Sequence, residues 1–123
     1  MIRIFIGLLF VVSLYAVDAK EVYSLKNVIL KKQNNYYTIV LATVIPTLNY
    51  NKIIEDNKIS YNAVAYSFGQ KDKYIKVLFG AYKSYEEAFD SLIKLDMSLL
   101  INKPYIEKLE KHIILFHKYE NKL

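Results

Sequence analysis

The chain has no cysteine, which excludes disulfide staples, cysteine-ligated zinc, iron–sulfur clusters and thiol catalysis. Three glycines and two prolines in 123 residues are too few for a collagen-like or low-complexity chain. No G-x-S-x-G elbow, Walker lysine loop or dinucleotide-binding glycine fingerprint occurs, so the common nucleotide and hydrolase motifs are missing. Arginine occurs once, at Arg3. The basic charge is otherwise lysine, a hydrated point charge without the planar fork that grips phosphate or carboxylate through two parallel hydrogen bonds. What remains is 54% hydrophobic and 24% charged residues, the composition of one globular domain held together by packing.

Residues 1–19 read as a secretory signal peptide. Met1, Ile2 and Arg3 form a short basic start, Ile4 to Tyr15 is an apolar run broken only by Gly7 and Ser13, and Val17, Asp18 and Ala19 end in small residues before Lys20. The apolar stretch from 4 to 17 falls short of the roughly 20 residues that span a bilayer, so a membrane anchor is the lesser alternative. Losing Arg3 and Asp18 leaves 16 Lys against 11 Asp plus Glu, and the net charge stays at +5. An exported, mildly basic protein of this kind meets anionic envelope polymers before it meets nucleic acid. The location expected is periplasmic or secreted.

Residues 20–35 read as a lead-in or linker with a short apolar stretch at Val28, Ile29 and Leu30, and residues 36–123 as the domain. Tyr36 to Ile45 is dense in β-branched and aromatic residues and closes at Pro46, which predicts a buried strand. Thr47 to Ile59 predicts a short helix with Thr47 or Asn49 as its N-cap. Tyr61 to Phe68 and Tyr74 to Tyr82, joined by Gly69 to Lys73, predict a β-hairpin. Ser84 to Glu87 is an S-x-x-E capping box. Behind it Ala88, Leu92, Leu95 and Leu99 predict one apolar stripe on a helix running from Tyr85 to about Leu99. Lys103 and Pro104 break that helix, Tyr105 to Leu109 reads as a short edge strand or as part of a further helix, and Glu110 to Tyr119 places Ile113 and Phe116 on one helical side. The order β-α-β-β-α-β predicts an α+β, ferredoxin-like antiparallel sheet of four strands with helices on one face, plus an extra C-terminal helix.

The letters V-L-F-G-A-Y-K-S-Y-E-E-A from Val77 to Ala88 resemble the strand-to-helix signature of the SPOR domain family, and Tyr37 to Val44 resembles that family's first strand. The resemblance covers roughly Tyr36 to Lys108. It implies a SPOR-like fold and a non-catalytic envelope module that binds peptidoglycan glycan strands stripped of stem peptides, using the exposed sheet face and its rim. Strand alternation independently puts Ile75, Val77 and Phe79 on one face and Tyr74, Lys76 and Leu78 on the other. In the first strand it groups Tyr36, Thr38 and Val40 on the second face. Tyr36 and Tyr74 are then expected to stack on sugar rings, with Thr38 and Lys76 serving hydroxyls or a muramyl carboxylate. Gly80 is expected to shape the strand exit.

Two departures from the family pattern are visible. Its first-strand Gln and Gly fall on Val40 and Ala42, and Leu78 takes an open-face position often polar in the family. Val40 and Leu78 make that face greasier than a glycan groove, so something apolar is expected on it. One candidate is the chain's own Ile113/Phe116 helix, and the other is a partner protein in an envelope assembly such as a motor or secretion machine. The alternative function is accordingly a protein-interaction or scaffold module that kept the fold and lost the sugar.

Other chemistries fit less well. His112 and His117 lie five apart and do not share a helical face as an i,i+4 zinc pair would, so no metal or cofactor is expected. They read as surface histidines near a helix C-terminus. The adjacent carboxylates Glu86/Glu87 and Glu55/Asp56 diverge and make no acid/base pair, so the chain is expected not to be an enzyme. The same element order describes RNA-recognition domains, but Val77 stands where their glycine should be and the stacking positions fall on aliphatic Leu78 and Val40, which argues against nucleic acid.

Overall fold

The computed structural model describes residues 24–46, 51–56 and 59–123. The signal-peptide reading of residues 1–19 and the N-cap candidates Thr47 and Asn49 lie outside the described residues. In chain order the elements are α1 (Leu25–Leu30), β1 (Tyr37–Val44), α2 (Asn51–Asp56), β2 (Ala63–Phe68), β3 (Tyr74–Tyr82), α3 (Tyr85–Leu92), α4 (Met97–Leu100), β4 (Tyr105–Lys108) and α5 (Leu109–Lys118). The four strands form one sheet in the order β2-β3-β1-β4, every neighbouring pair antiparallel. This is the α+β, ferredoxin-like arrangement. Among the described residues no helix is long and apolar enough to cross a membrane.

Helices cover both faces of the sheet, not one. On the expected side, Ile39, Leu41, Val77 and Phe79 pack with Ile59, Ala88 and Leu99. On the other side, Val40, Val64, Tyr66 and Leu78 pack with Leu25, Val28 and Ile29 of α1 and Leu109, Ile113 and Phe116 of α5. The stretch read as a linker is therefore partly a helix of the domain. Ser24 caps it by accepting a hydrogen bond from the Asn27 amide, and Leu25, Val28 and Ile29 recur at the i, i+3, i+4 spacing of a single buried face. Each of those three side chains contributes roughly 1.5–3 kcal/mol by leaving water.

The chain ends α1 and α5 the same way. Lys32 and Glu120 take left-handed backbone angles, φ 54° and 57°. The amide behind each reaches back five residues, Gln33 to the Val28 carbonyl and Asn121 to the Phe116 carbonyl, both at 3.0 Å. This is the closure usually made with glycine. Asn121 then pairs with the edge strand β2, its carboxamide accepting from the Ser67 amide and donating to the Ser67 carbonyl, each at 2.9 Å. That seals part of an exposed strand edge. The other edge strand, β4, is kept to four residues.

The helix expected from Tyr85 to Leu99 is two helices. The capping box forms in part: the Ser84 hydroxyl accepts from the Glu87 amide at 3.1 Å, while the Glu87 carboxylate accepts from the Lys83 amide, one residue before the cap. α3 stops at Leu92, and Asp96 caps α4 by accepting from the Ser98 amide. The stripe survives the break, because Ala88, Leu92, Leu95 and Leu99 all join the same core.

The β1–β3 ladder carries two irregularities, between Tyr37/Ile39 and between Val40/Ala42. At the first, Tyr37 pairs with Tyr82 and Ile39 with Phe79, so β3 holds one residue more than β1. Gly80, at φ +77°, supplies the backbone angle, and a Cβ there would collide with the Tyr82 ring. Without the extra residue Tyr82 would face away from Phe79. With it, both face the α3–α4 side.

Candidate functional site

The four residues expected to cradle a glycan do not form an open platform. Thr38 is 0% exposed and Lys76 9%. The Thr38 hydroxyl donates to the Gly80 carbonyl at 2.7 Å, with the Phe79 carbonyl 3.3 Å away, so it services the bulge. Lys76 sits with its ammonium 5.4 Å from the centre of the Phe68 ring, and burial lowers its pKa despite the nearby Glu107 charge. Tyr74 is half-buried and leans on Phe68 with ring centres 5.5 Å apart. Tyr36, also half-buried, packs at the rim of the α1–α5 core. Tyr36 and Tyr74 lie at opposite ends of the sheet, because Tyr37 pairs with Tyr82 whereas Val44 pairs with Ile75. Seven strand steps separate those ends, roughly 23 Å.

Val40, Leu78, Ile113 and Phe116, expected as a partner-binding face, are all buried in one intramolecular core. Of the two candidate coverings for that face, the chain's own C-terminal helix is the one found, joined by α1. The physical reason is the greasiness already visible in Val40 and Leu78: two apolar strand faces need apolar cover.

Where α5 meets the sheet, a polar relay crosses the core. The Tyr66 hydroxyl lies 2.7 Å from His112 Nδ1, and His112 Nε2 lies 2.6 Å from Glu107 Oε1. The second Glu107 oxygen accepts from Lys111 Nζ at 3.4 Å. A carboxylate has no proton to give, so His112 donates from Nε2 and accepts the Tyr66 proton at Nδ1. His112 is fully buried, which corrects its reading as a surface residue. Burial pushes its pKa down to about 4 against the pull of Glu107, with Lys76 and Lys111 adding to the fall. Burial likewise raises Tyr66, helped by the Glu107 charge. Partial burial works against the charge of Glu107, yet His112 and Lys111 hold its carboxyl below the usual range. The relay has the order of an acid–base triad, but Tyr66 is 1% exposed and its hydroxyl is enclosed by the core. Each polar atom is spent on a neighbour, so the relay joins α5 to β2 and β4. His117 adds a second tie by bonding through Nε2 to the Ile29 carbonyl at 3.0 Å.

Two surface features remain open on the α3–α4 side. One is a cleft of about 420 Å³ lined by Tyr61, Asn62, Phe79, Tyr82, Lys94 and Asp96 among others. Tyr61, 73% exposed, meets Phe79 edge-on at 5.6 Å. Burial raises the pKa of the Tyr82 phenol, opposed by its hydrogen bond with Ser91. The other is a row of exposed apolar side chains: Tyr85, Phe89 and Ile93 at 52, 46 and 55%, then Met97 and Ile101 at 76 and 77%. The stripe of Ala88, Leu92, Leu95 and Leu99 drew attention to the buried side of this segment. The spacing of four on Tyr85, Phe89 and Ile93 marks the outer side of α3, while Met97 and Ile101 repeat the interval beyond the break. Among the described residues no group of three or more His, Asp or Glu side chains is arranged to hold a metal ion.

No protein-family model, no curated protein and no solved structure matches the chain.

Proposed function

We propose that the chain is a non-catalytic protein-interaction module of the cell envelope, exported by residues 1–19 to the periplasm, with a SPOR-like fold whose sheet face is occupied by its own helices. The observation that carries this reading is the burial of Val40 and Leu78 beneath α1 and α5, with Thr38 and Lys76 buried as well. A glycan strand has no access to that face, while apolar residues stand exposed on the opposite side. The reading is tested by incubating the purified protein with cell-wall sacculi, untreated and amidase-treated. It expects no retention beyond that of an unrelated protein of equal charge. Specific retention on the amidase-treated sacculi would overturn it.

A second reading keeps peptidoglycan glycan as the ligand and moves it to the Tyr61 cleft. It is favoured by one observation: an exposed aromatic ring beside Asn62, Lys94 and Asp96, which is the pairing of flat apolar surface with polar rim that a sugar ring uses. Under this reading retention on sacculi occurs and is lost in Tyr61→Ala.

A further inference from the structure

The exposed row on α3 and α4 lies within a segment whose charge is opposite to that of the whole chain. Between Tyr85 and Ile101 stand four carboxylates, Glu86, Glu87, Asp90 and Asp96, and one lysine, Lys94. All five are exposed, on a protein whose net charge is +5. Tyr85, Phe89 and Ile93 succeed one another at helical spacing on a single flank of α3, with Glu86 and Asp90 one residue further round the same helix. A ridge of large apolar side chains at this spacing is the surface that a second helix fits, and apolar side chains gathered on an exposed flank mark a binding surface. The α3 helix brings no side chain of its own to cover these residues, since its inward positions, Ala88 and Leu92, are already committed to the core.

Charge decides among the occupants. Two copies joined through this face would bring Glu86 and Asp90 of one against the same pair of the other, within a segment that carries a single lysine, and like-charge apposition opposes association. An anionic lipid surface is repelled for the same reason. A helix with an apolar stripe edged by lysine or arginine satisfies both halves of the surface.

We propose that the outer flank of α3, formed by Tyr85 and Phe89 with Ile93 at its C-cap, docks a basic amphipathic helix of a partner protein, with exposed Met97 of α4 and Ile101 at the C-cap of α4 as further apolar contacts. The proposal rests on the interaction-module reading and supplies its binding surface and the chemistry of its partner. The remainder of the protein carries the excess of lysine, so a cationic helix has little reason to settle elsewhere.

The test uses the purified full chain and two labelled synthetic peptides of 14 residues, amphipathic helices of identical leucine pattern, one with lysine and one with glutamate on the polar face. Fluorescence anisotropy is expected to show the Leu/Lys peptide binding and the Leu/Glu peptide not. Replacing both Phe89→Ser and Ile93→Ser is expected to weaken binding about tenfold or more. The pair Glu86→Gln and Asp90→Asn is expected to weaken it and to flatten its salt dependence. The control Ile114→Ser, at an exposed position of α5, should leave binding unchanged. Circular dichroism checks that each variant keeps its fold, and Tyr85→Ser with Met97→Ser serves as a second apolar pair if the first unfolds. Equal binding of both peptides, binding of neither, or indifference to both serine pairs would overturn the proposal. So would a concentration-dependent dimer abolished by those pairs, which would make a second copy the occupant. Failure here alongside continued absence from sacculi removes this surface and leaves the broader interaction reading standing, whereas retention on sacculi removes the latter.

Discussion

The phenol of Tyr66 and the imidazole of His112, 46 residues apart in sequence, share a 2.7 Å hydrogen bond at the centre of the core under α5. Neither ring is reachable by water, so the bond cannot be exchanged for one to solvent. Tyr66→Phe keeps the ring and leaves His112 Nδ1 unsatisfied in the interior. The expected cost is about 1–3 kcal/mol, read as a lower urea midpoint with unchanged slope.

Acid should unfold the domain earlier than its carboxylates alone would dictate. His112 has a pKa of about 4 in the folded protein against 6.5 for the free side chain. The unfolded chain therefore binds the extra proton between those values. Stability is complete above pH about 6.5 and is lost as pH falls toward 4, by about 3 kcal/mol across the window. Glu107, whose pKa is lowered from 4.5, adds loss of the same sign at the acid end. Urea titrations at intervals from pH 7.5 to 4 should show this slope. His112→Gln should be less stable at pH 7.5 and show a shallower decline.

The two positive-φ glycines should respond unequally to alanine. At Gly80 the new Cβ meets the Tyr82 ring, whereas at Gly69 its nearest neighbour, a Tyr74 ring carbon, is at an ordinary 3.4 Å. Gly69→Ala should cost about 1–3 kcal/mol, for a positive φ combined with an extended ψ of 169° alone. Gly80→Ala should cost a further 1–3 kcal/mol or so for the displaced aromatic ring. Thermal unfolding of the two variants side by side checks the order.

Removing residues 24–30 strips α1 from the sheet and uncovers Val40, Val64 and Leu78. The shortened protein should bind an apolar dye such as ANS and show a lower melting temperature. An unaltered melting temperature would mean that α1 does not belong to the domain. The single substitution Leu25→Ala, at a fully buried position, should by itself cost about 2–5 kcal/mol.

The strands were readable because their signal is local. Tyr37 to Val44 and Tyr74 to Tyr82 are short, nearly continuous runs of β-branched and aromatic residues, as strands buried on both faces require, and Ser84 with Glu87 announces a helix start within four letters. The stretch from Tyr105 to Leu109 stayed open between edge strand and helix, because four residues carry too little periodicity to decide, and only the pairing with β1 makes it a strand. α1 was harder: six residues give a single turn and a half of periodicity, and Lys32 closes the helix where glycine would have marked its end. The break at Ile93 to Asp96 was hidden because Leu95 and Leu99 continue the apolar spacing across it. His112 could not be placed from sequence at all. Its partners come from β2 and β4, and only the assembled sheet shows that the helix turns this residue inward. The misplacement of Thr38 has a similar origin. Alternation gave its side correctly, but not that two helices would close over it.

The extra residue at Gly80 has a reach beyond its own strand. The hydroxyl that steadies it belongs to Thr38, on the side roofed by the terminal helices, while the ring it redirects, Tyr82, borders the cleft on the reverse. A substitution as mild as Thr38→Val would thus be made in one compartment and registered in the other, through the main chain itself, with no chain of touching side groups carrying the message. In this protein the sheet is less a partition between two interiors than the part they hold in common.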